Sequence, residues 1–472
     1  MKKNFAKLFL LFFILTTTLS GCILSGNNTT AKAVPFTLEV WGVFDSSEAY
    51  TDIIAAYKLA RPHITVNYKK LRWEEYEKAL IEGWAEDKGP DILLIQNTWV
   101  GKYQSKLAPM PNKISVPVLI TSGTLKKTTQ TVVRQVTPLS PNQIKTKFAD
   151  VVWQDAVRDD QVWGLPLALD TLALFYNRAL LDSAGVVEPP KTWPELLEAT
   201  KKITRQDSDG NIVRSAIALG EGSNINRAAD ILSLLMMQNG ATMLNNNNIT
   251  FDQAATYDQN ISPGLRALEF YTSFSSPSKE VYTWNNKMPE ATNAFLQGKV
   301  AMMFGYAYQL PLLKAQGQNM NFAVAPMLHL SQDGSDAQPG QTINFANYWL
   351  MSVAKKTKHV NEAWDFILFA TTNSYTDKDG QLVYQNENYL KSTGKPPALR
   401  ALLNKYRQDP NLEPFVSQVL TAKSWYRGAD PATMEQAFQK MADNVVSGKQ
   451  KPDEAIRFAA QAIKQTYVNQ AN

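Results

Sequence analysis

The residues of this chain best suited to chemistry are aromatic side chains next to acids, amides and a cation. The 472 residues include 11 Trp, 18 Tyr and 20 Phe. Several lie in mixed clusters: Phe44-Asp45, Trp73-Glu74-Glu75, Gln96-Asn97-Thr98-Trp99, Tyr306-Ala307-Tyr308, Asn347-Tyr348-Trp349 and Trp425-Tyr426-Arg427. Aromatic rings stack on the apolar face of a sugar, while amides and carboxylates hydrogen-bond its hydroxyls. Any one ring serves equally well in a core, but their recurrence in polar settings favours carbohydrate binding.

Motifs for the common enzymatic mechanisms are missing from the sequence. It contains no Gly-x-Ser-x-Gly elbow, no phosphate-binding Gly-rich loop with Lys-Ser/Thr, and no His-Glu-x-x-His zinc motif. His63, His329 and His359 fall near turns or element ends, so we expect them at the surface. Adjacent carboxylates such as Asp159 and Asp160 give no sign of an acid–base pair. We predict a protein without catalytic residues, metal or cofactor, and not an enzyme.

Strands and helices alternate at the start of the chain, which sets where these side chains belong. Residues 36–41, 64–68 and 91–95 have strand patterns, and residues 50–57 and 74–85 have helical ones. This order predicts an α/β fold with mainly parallel sheets flanked by helices. Ligands of such sheets bind beyond the carboxyl ends of the strands. Phe44, Trp73 and Gln96 each follow one of the three predicted strands.

The amino terminus has the layout of a secretory signal. Three lysines precede an apolar run from Leu8 to Leu15. After three threonines comes Leu19-Ser20-Gly21-Cys22, a sequence that resembles a bacterial lipobox. We therefore predict a signal peptide over 1–21, lipidation of Cys22, a tether over 22–35, and a location on the outer face of the cytoplasmic membrane. Loss of those lysines lowers the formal charge from +5 to +2, so the basic pI does not indicate a nucleic-acid partner.

Residues 113–147 form a basic segment that interrupts the α/β pattern. The segment contains six Lys or Arg and no acid. We predict an inserted, solvated hairpin. The other interpretation is a basic flap that contacts an acidic envelope polymer, which would make the protein a surface adhesin.

The chain resembles the extracellular solute-binding proteins of ABC importers, of the large type similar to maltose-binding protein. The motifs that carry the resemblance are Leu38-Glu-Val-Trp41, Gly89-Pro-Asp-Ile92, Trp163-Gly-Leu-Pro166, Leu174-Phe-Tyr-Asn-Arg178, Pro190-Lys-Thr-Trp193, Ala294-Phe-Leu-Gln-Gly298 and Tyr348-Trp-Leu-Met-Ser-Val353. The resemblance implies a two-lobed periplasmic-binding-protein fold of type II. One lobe would hold 36–169 and 326–395, the other 170–325 and 396–472. A hinge would join them near 169–171, 325–326 and 395–397.

The resemblance also implies function and site residues. The lobes would close on a carbohydrate or related polyol, and the closed monomer would deliver it to the ABC permease. The implied ligand contacts are Phe44, Asp45, Trp73, Glu75, Gln96, Trp99, Asp170, Glu221, Asn224, Tyr306, Tyr308, Trp349, Trp425 and Arg427. Asp45 also suits a helix N-cap, and Trp41 and Trp193 suit core positions. Only Arg427 and Arg227 are cationic candidates for an anionic ligand, which favours a neutral solute. An envelope polysaccharide lyase or hydrolase is the alternative.

Overall fold

The computed structural model describes residues 33–122, 128–245, 248–255, 260, 262–318, 320–330 and 342–468. The predicted signal peptide and Cys22 lie outside these residues. In chain order the strands are β1 Phe36–Gly42, β2 Ile64–Lys70, β3 Ile92–Gln96, β4 Leu107–Ala108, β5 Ile114–Ser122, β6 Thr128–Val136, β7 Val157–Arg158, β8 Gln161–Val162, β9 Leu165–Pro166, β10 Asp170–Thr171, β11 Ala173–Asn177, β12 Arg205–Gln206, β13 Ile212–Ile217, β14 Leu244–Asn245, β15 Asn248–Ile249, β16 Val300–Gly305, β17 Phe322–Pro326, β18 Asn344–Asn347, β19 Trp349–Ala354, β20 Ser374–Thr376, β21 Leu382–Tyr384 and β22 Ala422–Lys423. The helices are α1 Ser47–Ala60, α2 Trp73–Ala85, α3 Val100–Tyr103, α4 Pro141–Lys147, α5 Asp150–Ala156, α6 Arg178–Asp182, α7 Trp193–Ile203, α8 Ala228–Gln238, α9 Pro263–Ser273, α10 Ala291–Leu296, α11 Leu310–Gln316, α12 Val360–Thr372, α13 Glu387–Thr393, α14 Arg400–Tyr406, α15 Glu413–Val416, α16 Pro431–Val446 and α17 Pro452–Val468.

The first sheet has the order β2-β1-β3-β19-β4, and β9 also pairs with β19. Strand β1 runs parallel to β2 and β3, so the carboxyl ends of these three strands share one edge. Residues Ile92 to Ile95 of β3 are all buried, as expected for a strand covered on both faces. Strand β19 runs antiparallel to β3 and pairs Trp349 with Gln96, which places the start of β19 at the same edge.

The second sheet has the order β12-β13-β16-β11-β17. Its β13 and β16 are parallel, but β11 runs antiparallel to both of its neighbours. Most strands of each large sheet therefore run in one direction, as the sequence predicts, but both sheets are mixed, because β19 in the first and β11 and β12 in the second are reversed. The physical reason is clear in the first sheet. Strand β19 enters it after a long excursion through the second sheet, so no βαβ crossover constrains its direction.

A small third sheet, β10-β18-β22, lies where the chain passes between the two large ones. Strand β10 pairs antiparallel with β18, and β22 pairs parallel with it. Just before β10, the Leu169 N–H donates to the Pro396 carbonyl at 3.0 Å, and Ala168 bridges to Pro397. Two of the three predicted crossings thus hydrogen-bond to each other.

The helices follow their sequence patterns closely. Tyr50, Ile53 and Tyr57 of α1 are buried, and Thr192 caps α7 as predicted, with Oγ1 accepting from the Glu195 N–H at 3.3 Å. The N-cap expected at Asp45 is wrong, because Ser46 occupies the N-cap position of α1.

The surface position expected for His63 is also wrong. His63 is only 5% exposed, and its ring nitrogens have no hydrogen-bond partner within the described residues. Burial lowers its pKa.

The basic segment forms the predicted hairpin, with β5 and β6 paired from Ile114–Val136 to Ser122–Thr128. Its inner strand is anchored, since Ile114 and Val116 are fully buried and β5 contacts α12. The outer strand β6 has exposed or half-buried side chains throughout. The hairpin is therefore an appendage on the first sheet's side of the molecule.

Candidate ligand-binding site

Four aromatic rings meet at the edge of the first sheet where β1, β2 and β3 end. This aromatic platform has one ring after each of these strands and one at the start of β19: Phe44, Trp73, Trp99 and Trp349. Parallel strands bring their carboxyl ends to one edge, and the antiparallel β19 begins there. The structure thus brings together four of the predicted contacts from four separate stretches of sequence.

The platform combines exposed rings with a buried support. Phe44 and Trp73 stack with centroids 5.8 Å apart and planes inclined by 24°. Trp349 meets both rings edge-on, at 5.7 and 6.0 Å, and Trp99 lies 5.5 Å from Trp73. Phe44 and Trp73 are 59% and 44% exposed, whereas Trp99 is 6% exposed. Large exposed apolar rings held by a buried one form a surface suited to a flat apolar ligand face.

Asp45 fixes the loop that carries Phe44. Its carboxylate accepts a hydrogen bond from the Tyr389 hydroxyl at 2.7 Å. It also forms an ion pair with Lys395 Nζ at 2.5 Å. Burial, and then the Asp45 charge, raise the pKa of Tyr389 well above its usual range. Asp45 therefore ties the end of β1 to α13 and to the predicted crossing at 395–397.

Asp155 is a central residue of the site that the sequence analysis missed. Its side chain is fully buried. One carboxylate oxygen accepts from Asn97 Nδ2, the Tyr348 hydroxyl and Ser424 Oγ at 2.9, 2.7 and 2.6 Å. The other oxygen pairs with Arg427 Nε at 2.6 Å.

Three of the aromatic clusters in the sequence thus converge on this one carboxylate. The only local signal for it is an acid near the carboxyl end of α5, after the apolar run Val151-Val152-Trp153. Asp155 fixes the positions of Asn97 and Tyr348, which are close in the sequence to Trp99 and Trp349. It therefore stabilises the platform without being part of it.

Tyr308 is an exposed aromatic residue that follows β16 of the second sheet. It is 47% exposed and stacks on the buried Tyr306 with centroids 5.8 Å apart and planes 17° apart. The Tyr306 hydroxyl donates to Asp230 at 2.6 Å, and Arg227 binds that same carboxylate through two nitrogens. Tyr306, an implied ligand contact, and Arg227, named above only as a cationic candidate for an anionic ligand, are instead committed to this internal network.

Asp170 supports the Tyr308 turn from the start of β10. Its carboxylate accepts the backbone N–H groups of Ala307 at 3.0 Å, Tyr308 at 3.1 Å and Thr171 at 2.9 Å. Burial raises the pKa of Asp170 to about 7, while the three N–H donors act in the opposite direction. Asp170 is therefore a positioning residue at the predicted first crossing.

Two further predicted contacts flank the platform. Gln96 is half-buried at the end of β3 and pairs in register with Trp349. Glu75, in the first turn of α2, forms an exposed ion pair with Arg72. Gln96 is placed to reach a ligand on the rings, whereas Glu75 is used at the helix surface.

Glu221 and Asn224 lie in the loop before α8 and are used within the protein. The Asn224 amide donates to the carbonyls of Asn285 and Met288 and accepts from the Trp284 indole at 2.9 Å. Glu221 is 5% exposed, and burial, followed by the charge of Asp443, raises its pKa to about 7. Internal partners therefore account for the Asn224 amide, and Glu221 is a buried acid beside α16.

Trp425 and Arg427 lie apart from the platform. Trp425 is 4% exposed and packs near Phe251 at 6.3 Å. Arg427, besides its ion pair with Asp155, donates to the Gln154 amide oxygen at 3.2 Å. It lines a cleft whose walls include none of the platform rings.

The described residues offer neither a metal site nor a membrane-spanning helix. No group of three or more His, Cys, Asp or Glu is arranged to hold a metal ion there. No described helix combines the length and the apolar character needed to cross a membrane.

Comparisons with known proteins agree in pointing to one family. The model of the family described as bacterial extracellular solute-binding protein matches residues 42–377. A putative binding protein of Brucella abortus is 22% identical over 426 residues, which cover 87% of this chain and 88% of that protein. The maltotriose-binding protein of Pyrococcus abyssi is 23% identical over 377 residues, which cover 78% of this chain and 68% of the relative.

Solved structures show the same fold. The cyclic α-maltosyl-1,6-maltose binding protein of Arthrobacter globiformis superposes with a TM-score of 0.68 at 18% identity, over 92% of this chain and 99% of that one. The α/β periplasmic-binding-protein fold predicted from the sequence is thus confirmed.

Proposed function

The chain belongs to the bacterial extracellular solute-binding proteins, and from this premise we propose that it captures a carbohydrate on the aromatic platform and delivers it to an ABC permease. The observation that carries the proposal is the cluster of Phe44, Trp73, Trp99 and Trp349, with two rings exposed and stacked. A pyranose buries its apolar face on such rings, and the surrounding amides take its hydroxyls.

Closure of two lobes is the proposed capture step. The first lobe would comprise 36–169 and 326–395, and the second 170–325 and 396–472. The platform lies on the first, and Tyr308 offers an exposed ring from the second. The third sheet and the Leu169–Pro396 hydrogen bond support a hinge at the crossings, because short paired segments can twist while the large sheets stay rigid.

The relatives support a binding role. The Pyrococcus abyssi relative is a maltotriose-binding protein, and a Bacillus subtilis relative is a maltodextrin-binding protein. We therefore propose a neutral oligosaccharide as the solute and no turnover of it. The protein acts outside the cytoplasm as an extracellular binding protein, and we propose that a lipid on Cys22 holds it at the membrane.

Ligand-induced thermal stabilisation tests the platform. We expect maltotriose or another neutral oligosaccharide from a panel to raise the Tm of the wild type and to be recovered unchanged. Trp73→Ala should lower the affinity for that oligosaccharide about ten-fold or more, since lost stacking and apolar burial cost roughly 1.5–3 kcal/mol.

Tyr375→Ala is the matched control, because Tyr375 is similarly exposed at 48% but lies in β20. Equal affinity in the two variants would refute the assignment of the platform. Hydrolysed or cleaved product would support the envelope enzyme instead.

A further inference from the structure

A second cleft, of about 620 Å³, lies between the segment that follows β3 and the carboxyl-terminal helix α17. One wall contains Asn97, Gly101 and residues of α5 and β7, and the other contains β14, β15 and α17. Trp99 does not line the cleft, because its ring points into the aromatic platform. The cleft is therefore separate from the platform, and its volume suits a small molecule.

The charge on the walls is unbalanced. Arg158, Arg427 and Lys464 line the cleft, and the only acid among the lining residues is Asp155. Asp155 is fully buried and already accepts four hydrogen bonds, one of them from Arg427. Within the described part of the chain, Arg158 and Lys464 pair with no carboxylate. The cleft thus presents two cations without a countercharge.

The wall beside Arg158 is shaped to hold a guanidinium. A Cβ on Gly101 would come within 3.0 Å of Arg158 Nη1 and 2.8 Å of the Arg427 carbonyl. Glycine at this position therefore lets the Arg158 side chain lie against the helix α3. Nearby, the Gln154 amide oxygen accepts from Arg427 at 3.2 Å, which leaves the Gln154 NH₂ group as a further donor. Asp159, next to Arg158, lies on an exposed turn and accepts from the Gln104 amide.

We propose that this cleft binds a small solute that carries an oxyanion, either a phosphate ester or a carboxylate on a polyol or sugar. Arg158 and Lys464 supply charge-assisted donors, and neutral donors such as Gln154 take the remaining oxygens. The site goes beyond the proposed function, because the platform requires only a neutral ring face. Its walls come from both halves of the chain, so bound anion would hold them together.

Calorimetric titration of the mature protein tests the site. The probes are inorganic phosphate, glycerol 3-phosphate and glucuronate, with glycerol and glucose as neutral controls. We expect an anionic probe to bind and the neutral controls not to bind at this cleft, with affinity that falls as NaCl is added. Arg158→Gln and Lys464→Gln should each weaken the anion about ten-fold. Lys449→Gln, at an exposed lysine outside the lining residues, should leave the affinity unchanged.

The outcomes separate this proposal from the platform. Trp73→Ala should leave anion binding intact, whereas the two cleft variants should leave oligosaccharide binding intact. Binding of the two phosphates alone identifies a phosphate ester, and binding of glucuronate alone identifies a carboxylate. Absence of binding by every anionic probe overturns the proposal. Wild-type affinity in a Lys464→Gln variant, which changes an exposed side chain and should fold normally, overturns it as well.

Discussion

Removal of the Asp155 carboxylate is the perturbation with the largest expected consequence. In Asp155→Ala, the buried Ser424 hydroxyl loses its acceptor. Asn97 and Tyr348, also buried, each lose one of two acceptors, because the Asn97 amide also donates to Ser424 Oγ at 2.8 Å and the Tyr348 hydroxyl to the Val151 carbonyl at 3.4 Å. A buried donor left without a partner costs about 1–3 kcal/mol. Arg427, with a side chain that is 37% exposed, can turn to water and adds little. We expect the free energy of unfolding to fall by roughly 3–5 kcal/mol, of which about 1–3 kcal/mol comes from the unpaired Ser424 hydroxyl and about 1 kcal/mol from each of the two other lost hydrogen bonds.

Urea denaturation followed by tryptophan fluorescence measures this loss. Asp150→Asn is the matched control on the same helix, because Asp150 forms only a partly exposed ion pair with Arg400 and should cost about 1 kcal/mol or less. The platform should loosen too, so oligosaccharide affinity should fall in Asp155→Ala under conditions where the variant remains folded. A loss below about 1 kcal/mol, equal to that of the control, would refute the role of Asp155 as the shared acceptor.

Three other predictions follow from single features. Burial raises the pKa of Asp170 to about 7, so the native state retains a proton that the unfolded chain releases near pH 4. The stability of the wild type relative to Asp170→Asn should therefore fall as the pH rises from about 4 to about 7, and a pH-independent difference in urea unfolding would contradict this. Cys22→Ser should move the protein from the membrane fraction to the soluble fraction on cell fractionation, and unchanged partition would refute lipidation. Shortening the hairpin β5–β6 beyond Val118 should leave oligosaccharide affinity unchanged in calorimetry, whereas loss of binding to an anionic envelope polymer in a pull-down would favour the adhesin.

Much of the platform could be predicted from the sequence. Strand and helix periodicity located β1, β2 and β3 to within two residues, and sheet geometry then required Phe44, Trp73 and Trp99 to start from one edge. Trp349 joined them through the family resemblance. These predictions depend on local sequence patterns and on the rule that parallel strands end at the same edge of a sheet. They do not depend on which side chains contact each other.

The site residues that sequence reasoning misjudged are polar or partly polar side chains with distant partners. Asn224, Tyr306 and Arg227 have residue types that suit a ligand, yet each is committed to an internal bond. Asp155 has no motif around it, yet it gathers four donors. Nothing in a local pattern tells whether an amide or a guanidinium meets a ligand or another part of the chain.

The sequence by itself therefore determined the order of elements and the rings at the strand ends, because periodicity reports which face of each element is buried. Its motifs carried the resemblance to the family. Only the tertiary structure decided which polar side chains hydrogen-bond within the protein and which can still bind a ligand. Arg158 and Lys464 lie about three hundred residues apart in the chain and share one cleft. Electrostatic and hydrogen-bond energies depend on distances of a few ångströms between such groups, and those distances exist only once the chain has folded.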